Sequence, residues 1–524
     1  MLASLKGRQK IKVIYIRPPY WYWPLFSESD NALPPLAFPV LAAYIREKLP
    51  NVEQKIVDCM VEGFGYKTLR GILQEYKPDV VCLGHMICYH EEDMRTARMA
   101  KELNPNCIVV GGGTFFSHMV EYAMDKSPEL DIIVRYEGEE TFRELLEFLM
   151  AGRDLADVLG IVYRQGDRVM KNHPRPLIKD LGSLPLPAYE MIPVTKYSPA
   201  GLAWKRAITI QGNRGCPFAC DFCSWTAMES EHKMDENGKI TFKPGIRLKD
   251  PVRVADEVGM LYNDYGIRFL FWVEGTWNYS VEWLDTFSSE LIRRKYTDLG
   301  WFSFFRPDMG LIQEKKGVLE KMVRAGLRYL LMGAERGDQA ELEGLGKRNT
   351  NVDSFREVNI LFEKKYPEVF RQCTFIAGMH DDTPEKLERL HQYTLTVPFD
   401  FGAIHPYMPY PGTPGFEKYD HLIEERDYTK WDMLYPVMRT ETMSREEVAD
   451  WCNRIQQDFV LQRKARFARG LLSPHLLRRR MHWWFLYNFS RLAARDAAAS
   501  VMGMKKFKGM AGVQNLLKPS FYED

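Results

Sequence analysis

Cys216-Pro-Phe-Ala-Cys220-Asp-Phe-Cys223 is the segment of this chain whose residue types and spacing promise chemistry. Three thiolates so spaced can each hold one iron of a [4Fe–4S] cube, which leaves the fourth iron open to an exogenous ligand. A structural zinc site wants four ligands, usually as two separated pairs. Cys59, Cys82, Cys88, Cys107, Cys373 and Cys452 supply no second Cys-x-x-Cys, so His232 is the donor that would complete a competing Cys3His zinc site. The six other cysteines read as buried thiols. Nine cysteines, an odd number, with no secretory leader before them argue against a disulfide framework and for a cytoplasmic setting.

A strand must deliver this triplet, because it follows AITIQG and a loop opened by Asn213-Arg214-Gly215. From Ala207 to about Pro414 the runs AITIQG, FLFWVEG, WFSFF, YLLMGAE, CTFIAG and FGAIHPY alternate with helical patterns. Six strand–helix steps predict a partial parallel barrel, a (βα)6 relative of the TIM type, with its chemistry at the carboxyl ends of the strands. Upstream, IKVIYI, QKIVDC, DVVCLG, CIVVGGG and DIIVRY are continuous apolar runs separated by helical patterns. They predict a doubly wound, Rossmann-like sheet covered on both faces. Gly84, Gly111, Gly112, Gly113 and Gly138 fall beyond the ends of its strands, where ligands bind in such sheets, although tight turns alone also call for glycine. The α/β layout thus divides into 1–150, a doubly wound domain; 151–204, a connector with a hairpin at GIVYRQGDRVM and the proline-spaced LPLPAY; 205–415, the barrel; and 416–524, a helical extension.

With 45% hydrophobic and 27% charged residues, the chain has the composition of a folded enzyme rather than a disordered one. A net charge of +1 removes any global attraction to nucleic acid or anionic membrane, so such a partner needs a local patch. No run of about eighteen apolar residues predicts a spanning helix.

Cys-x-x-x-Cys-x-x-Cys after the first strand of a partial barrel resembles the radical S-adenosylmethionine superfamily. The resemblance implies a [4Fe–4S] cluster on Cys216, Cys220 and Cys223, with S-adenosylmethionine chelated at the open iron. It places Glu274, in Trp272-Val273-Glu274-Gly275, where the family binds the methionine amino group, although the usual wording of that motif is altered. Arg306 in FFRPD matches the arginine after the third strand, and Glu335 in MGAERG the acid near the ribose. Pro409-Tyr410-Pro411-Gly412-Thr413-Pro414 resembles the strand-end motif of the cobalamin-associated branch. Pro35 in Leu33-Pro34-Pro35-Leu36, Gly84-His85, Gly111-Gly112-Gly113 and Glu137-Gly138-Glu139 resemble, in order and spacing, the cobalamin-binding domain that precedes such barrels. Met60 stands where other cobalamin proteins carry the cobalt-ligating histidine, which implies cobalamin bound without a protein imidazole.

The whole layout resembles the anaerobic magnesium-protoporphyrin monomethyl ester cyclase family and its relatives. The resemblance implies hydrogen abstraction by a 5′-deoxyadenosyl radical, with C-methylation of a hydrophobic small molecule as the leading expectation and oxidative cyclisation of a tetrapyrrole as the alternative. It further implies a low-potential electron donor such as flavodoxin or ferredoxin. A methylthiolating enzyme of transfer RNA would share the triplet, but that family carries a second cluster on amino-terminal cysteines and ends in a small β-barrel. A non-catalytic sensor would leave the barrel motifs unexplained. Trp272, Trp277 and Tyr410 are candidate walls of the substrate pocket, with plain core as the competing role.

Between Arg463 and Lys508 stand twelve Lys or Arg residues and one acid, Asp496, interleaved with Phe467, Trp483, Trp484, Phe485, Tyr487 and Phe489. Such a basic, aromatic helix can lie peripherally on an anionic membrane or grip nucleic acid, and it can equally pack its rings on the barrel.

Overall fold

The computed structural model describes residues 5–20, 34–84, 86–197, 206–347 and 350–501, with the side chains of 488–489 and 491–501 left aside. His85, and the part of the basic tail beyond Val501, lie outside the described residues.

The apolar runs of the first domain form five parallel strands: β1 (Ile11–Arg17), β2 (Val52–Asp58), β3 (Val80–Leu83), β4 (Ile108–Gly111) and β5 (Ile132–Val134). Alternation along each strand feeds two separate cores. Ile14, Ile16, Val81, Leu83 and Val109 pack with Leu69, Leu73, Met94 and Ala97 of the helices on one face. Val13, Tyr15, Val80, Ile108 and Val110 pack with Phe38, Ala42, Ile45, Phe142 and Leu145 on the other. A sheet buried on both faces needs apolar residues at both parities, which is why these strands read as continuous runs. The hairpin assigned to the connector forms β6 (Ile161–Gln165) and β7 (Arg168–Lys171), and it extends this sheet antiparallel from β5 to give the order β2-β1-β3-β4-β5-β6-β7.

The second sheet is entered by β8 (Ala207–Ile210). The short β9 (Asn213–Cys216) leads into the cysteine loop and pairs antiparallel with β12 (Gly245–Leu248). Between them, β10 (Glu231–Met234) and β11 (Ile240–Lys243) make a hairpin turning at Asn237-Gly238, where Gly238 takes φ +78°. The Asn-Gly pair and the alternation of ITFK were the available signal for this ribbon. The remaining strands are β13 (Phe269–Trp272), β14 (Gly300–Phe304), β15 (Leu327–Glu335), β16 (Phe370–Ala377) and β17 (Phe401–Pro406). Together with β8 they form a six-stranded parallel sheet in chain order. Each successive strand follows a helix that packs its apolar face outside the sheet, through Val254, Leu284, Phe287, Leu319, Phe355 and Leu387 among others.

Helices at Arg445–Leu461, Lys464–Leu471 and Leu476–Val501 are the last described elements. The first begins in a Ser444/Glu447 capping box, and its Gln456 accepts from the Ile404 amide at 3.2 Å and donates to the Gly402 carbonyl at 2.9 Å. These are edge groups of β17 that no described strand pairs, so a side-chain amide covers an open sheet edge. No helix among the described residues is long and apolar enough to cross a membrane.

Candidate functional site

Cys216 ends β9, and the loop through Cys220 to Cys223 then leads into a short helix at Ser224–Glu229. Burial pushes the Cys220 thiol up to about 12 and raises that of Cys223 as well, so neither ionises readily until a metal takes the proton's place. Each of these thiols also lies within electrostatic reach of the others.

The ends of the next strands converge on this loop. After β13, Glu274 is completely buried, and its Oε1 accepts from the amides of Gly212 and Asn213, the residues that open the loop. Its Oε2 has no hydrogen-bond partner among the described residues, and burial raises the carboxyl to about 8. Two residues on, the Thr276 hydroxyl lies 3.1 Å from Cys216 Sγ. After β14, the Arg306 guanidinium lies 3.5 Å from the centre of the Phe218 ring inside the triplet and pairs with Asp308 at 3.1 Å. At the end of β15, Glu335 takes φ +61° and pairs at 2.7 Å with Lys347, itself close enough to lower the Cys220 thiol. Arg306 and Glu335 are thus buried beside the loop rather than solvated surface ions. Sequence reasoning missed Thr276 and Lys347. The one is an ordinary residue beside an altered motif, and the other reaches the loop only through the fold.

His232 is turned elsewhere: its Nε2 bonds the Ala227 carbonyl at 2.7 Å, and its ring stacks on Tyr136 at 3.5 Å. Among the described residues no three His, Cys, Asp or Glu side chains gather as one metal ion requires. A cube spreads its thiolates over separate irons, so the donor set suits a cluster and not the Cys3His zinc site.

Facing the loop, a cavity of about 350 Å³ lies between the two sheets. One wall consists of strand ends of the first domain, with Leu36, Leu83, Gly84, Gly111, Gly112, Gly113, Tyr136, Glu137 and Gly138. The other brings Gln211, Arg214, Trp225, Met228, Glu229 and Val273 from around the cysteines. Pro35 is outside the lining, although its neighbours Leu36 and Ala37 are in it. At Gly84 an added Cβ would sit 2.8 Å from the Gly112 carbonyl, and at Gly111 2.9 Å from the Phe116 ring, so these two glycines are required by the packing of the turns themselves. At Gly112 the nearest such atom is the Val134 carbonyl oxygen at 3.6 Å, an ordinary contact, so packing alone does not require glycine at this residue of the cavity wall. The three consecutive glycines 111–113 in this wall leave room for a flat macrocycle against the strand ends. No histidine is among the described lining residues. Met60 is not among them either, and packs instead beside Tyr20, Cys88 and Tyr89, its sulfur accepting from the Tyr20 amide at 3.1 Å.

The Glu137 carboxylate is committed to protein contacts, with Arg214 at 3.1 Å, Arg247 at 2.9 Å and the Ile178 amide at 2.8 Å, while Glu139 pairs with Arg214 at 2.5 Å. Trp272 and Trp277 are core residues, packed with Trp283, Phe287 and Trp301, and Trp225 takes the place on the cavity wall expected of them. Tyr410 packs on the core of the first domain and donates to the Trp431 carbonyl at 3.4 Å.

A cysteine triplet at the mouth of a partial barrel, set against the strand ends of a doubly wound domain, defines a radical enzyme of the iron–sulfur kind that carries a second cofactor domain. Matches to known proteins make the class specific. The B12 binding domain matches residues 22–146, and the radical SAM superfamily matches residues 210–394. An uncharacterised methyltransferase of Pyrococcus horikoshii is 28% identical, over 82% of this chain and 88% of that protein. The anaerobic magnesium-protoporphyrin IX monomethyl ester cyclase of Cereibacter sphaeroides is 26% identical, over 84% of this chain and 69% of that protein. Among solved structures, the cobalamin-dependent S-adenosylmethionine radical enzyme OxsB, with aqua-cobalamin and S-adenosylmethionine bound, superimposes with a TM-score of 0.67 at 15% identity, covering 93% of this chain and 71% of that one. The chain thus carries a B12 binding domain followed by a radical S-adenosylmethionine domain, the arrangement its solved structural neighbours also show.

Proposed function

We propose that the protein is a cobalamin-dependent C-methyltransferase that modifies an unactivated carbon of a hydrophobic small molecule. One observation carries this reading: the cavity between the glycine-lined strand ends and the cysteine loop, walled largely by apolar side chains including Leu36, Leu83, Trp225, Met228 and Val273. A carbon that must meet two reagents in turn has to lie where both can reach it, and this cavity adjoins both candidate cofactor sites.

Cys216, Cys220 and Cys223 would hold the cluster. Glu274 Oε2, buried and without a hydrogen-bond partner among the described residues, suits the methionine ammonium, and Arg306 and Glu335 lie buried beside the same cysteine loop. Gly112, Gly113 and Gly138 would carry cobalamin without a protein imidazole below it, and His85 belongs to the same expected set. When bound, the cluster and S-adenosylmethionine supply a 5′-deoxyadenosyl radical and cobalamin supplies a methyl group. The chain's own part is to orient the target carbon and to exclude water, for which Trp225, Met228 and Val273 are placed. A low-potential carrier such as flavodoxin or ferredoxin would provide electrons, and the nine free cysteines favour a reducing, cytoplasmic setting.

The carboxyl-terminal helix supports a peripheral membrane contact on one face only. Leu476, Arg480, Trp483 and Tyr487 follow at helical spacing and are exposed, whereas Leu477, Met481 and Phe485 are buried on the barrel.

The cyclase relative supports a second reading, oxidative ring closure of a tetrapyrrole. Anaerobic protein loaded with cobalamin and S-adenosylmethionine labelled on its methyl group separates the two. Methylation passes label into product and forms S-adenosylhomocysteine with deoxyadenosine. Deoxyadenosine with an unlabelled, oxidised product would overturn it in favour of ring closure.

A further inference from the structure

We propose that Thr276 sets the reduction potential of the cluster by donating its hydroxyl hydrogen to the Cys216 thiolate. The proposal rests on the reading of Cys216, Cys220 and Cys223 as cluster ligands. The Thr276 Oγ1 lies 3.1 Å from Cys216 Sγ, both residues are buried, and the hydroxyl makes no other hydrogen bond among the described residues. Either atom could donate while the cysteine is a thiol. Once the sulfur binds iron it has no hydrogen left, so the hydroxyl is the donor.

The hydroxyl is aimed by its own segment and does not swing freely. Asn213 Nδ2 donates to the Thr276 carbonyl at 3.3 Å, tying it to the strand that ends in Cys216. On one side Glu274 holds the amides of Gly212 and Asn213. On the other, Asn278 accepts from the Arg306 amide at 2.8 Å and donates to the Arg306 carbonyl at 3.0 Å. The stretch between β13 and the following helix therefore fixes the cysteine loop and delivers one dipole to one sulfur. A hydrogen bond to a cluster sulfur favours the more negative state, and each reduction adds one electron from an external low-potential carrier to the cluster. A buried dipole acts strongly there because little water competes with it.

Thr276→Val keeps the shape of the side chain and removes the donor, and Thr276→Ser keeps the donor. With the cluster reconstituted anaerobically, iron and sulfide are counted per chain, and the midpoint potential is followed by electron paramagnetic resonance. At the potential where half of the wild-type clusters are reduced, T276V should show a reduced-to-oxidised ratio lower by several-fold, up to about tenfold, because the ratio reads only how much more strongly the hydrogen bond holds the more negative of the two cluster states. T276S should titrate like wild type, and Thr276→Ala carries the same expectation as T276V if valine crowds the loop. A T276V midpoint equal to that of wild type, or equal shifts in T276V and T276S, would overturn the proposal. Wild-type protein that takes up no four-iron cluster would overturn the cluster reading first, and the metal count shows which has failed.

Discussion

Glu274 combines two demands that pull its chemistry in opposite directions. Its Oε1 holds the amides that open the cysteine loop, while complete burial disfavours the charge and raises the carboxyl from its ordinary 4.5 to about 8. A group that keeps its proton in the folded state and loses it in the unfolded one contributes stability that is fully present below about pH 4.5 and lost as pH rises through about 8. Glu274→Gln accepts the same amide bonds and does not titrate. The unfolding midpoint of the metal-free wild type should therefore fall relative to that of E274Q between pH 5 and pH 8.5, by the equivalent of several kcal/mol at the upper end. Parallel curves for the two proteins would show that the carboxyl is not held neutral. The same variant should bind S-adenosylmethionine less well, since an ammonium placed beside Glu274 draws off its proton and pairs with the carboxylate so formed, whereas the amide stays neutral.

Helix Leu476–Val501 shows how one element can divide a sequence signal between two roles. Much of the basic-aromatic character is consumed in packing: Phe485 stacks on Phe401 at 3.9 Å, and Arg478 reaches Asp400 at 2.6 Å. Burial raises the Asp400 carboxyl, but Arg371, Arg478 and Arg466 outweigh it and hold the group far below the usual carboxylate range. Trp483 and Tyr487 remain outside, 54% and 60% exposed, next to the exposed Arg480. Replacing Trp483 and Tyr487 with Ser should weaken binding to anionic vesicles by about tenfold or more while lowering the unfolding midpoint only slightly, because both rings are more than half exposed and the loss in the fold includes one hydrogen bond, from Trp483 to the Leu471 carbonyl at 3.2 Å. Unchanged vesicle binding would remove Trp483 and Tyr487 from any membrane contact.

At the scale of the molecule, the first domain and the barrel are fastened by charge as well as by apolar contact. Arg214, one residue after β9 begins, spans Glu137 and Glu139 of the first domain, and Arg247 of β12 adds to Glu137. Arg214→Met leaves two largely buried carboxylates short of a partner, which should cost about 3 kcal/mol or more and be visible as a lower unfolding midpoint and faster proteolysis between the domains. Unaltered stability and protection would mean that the docking is apolar. This junction marks the limit of what the sequence could say. The strands of both sheets, the covering helices and the cysteine triplet were legible, because continuous apolar runs and ligand spacing are local properties of the chain. The hairpin β6–β7 was legible as a hairpin but not as an edge of the first sheet, since pairing with β5 depends on a distant partner. Trp272 and Trp277 could be read as pocket walls or as plain core because an aromatic side chain carries no sign of the direction it faces, and packing put them in the core while bringing Trp225 to the cavity. The sequence by itself determined which elements form and which atoms can bind iron. Only the tertiary structure decided that Glu274 faces Gly212, that Thr276 meets Cys216 and that Arg214 bridges the domains, because each is a contact between residues far apart in the chain: the first two are set by β13 pairing beside β8, and the third by how the two sheets close on each other.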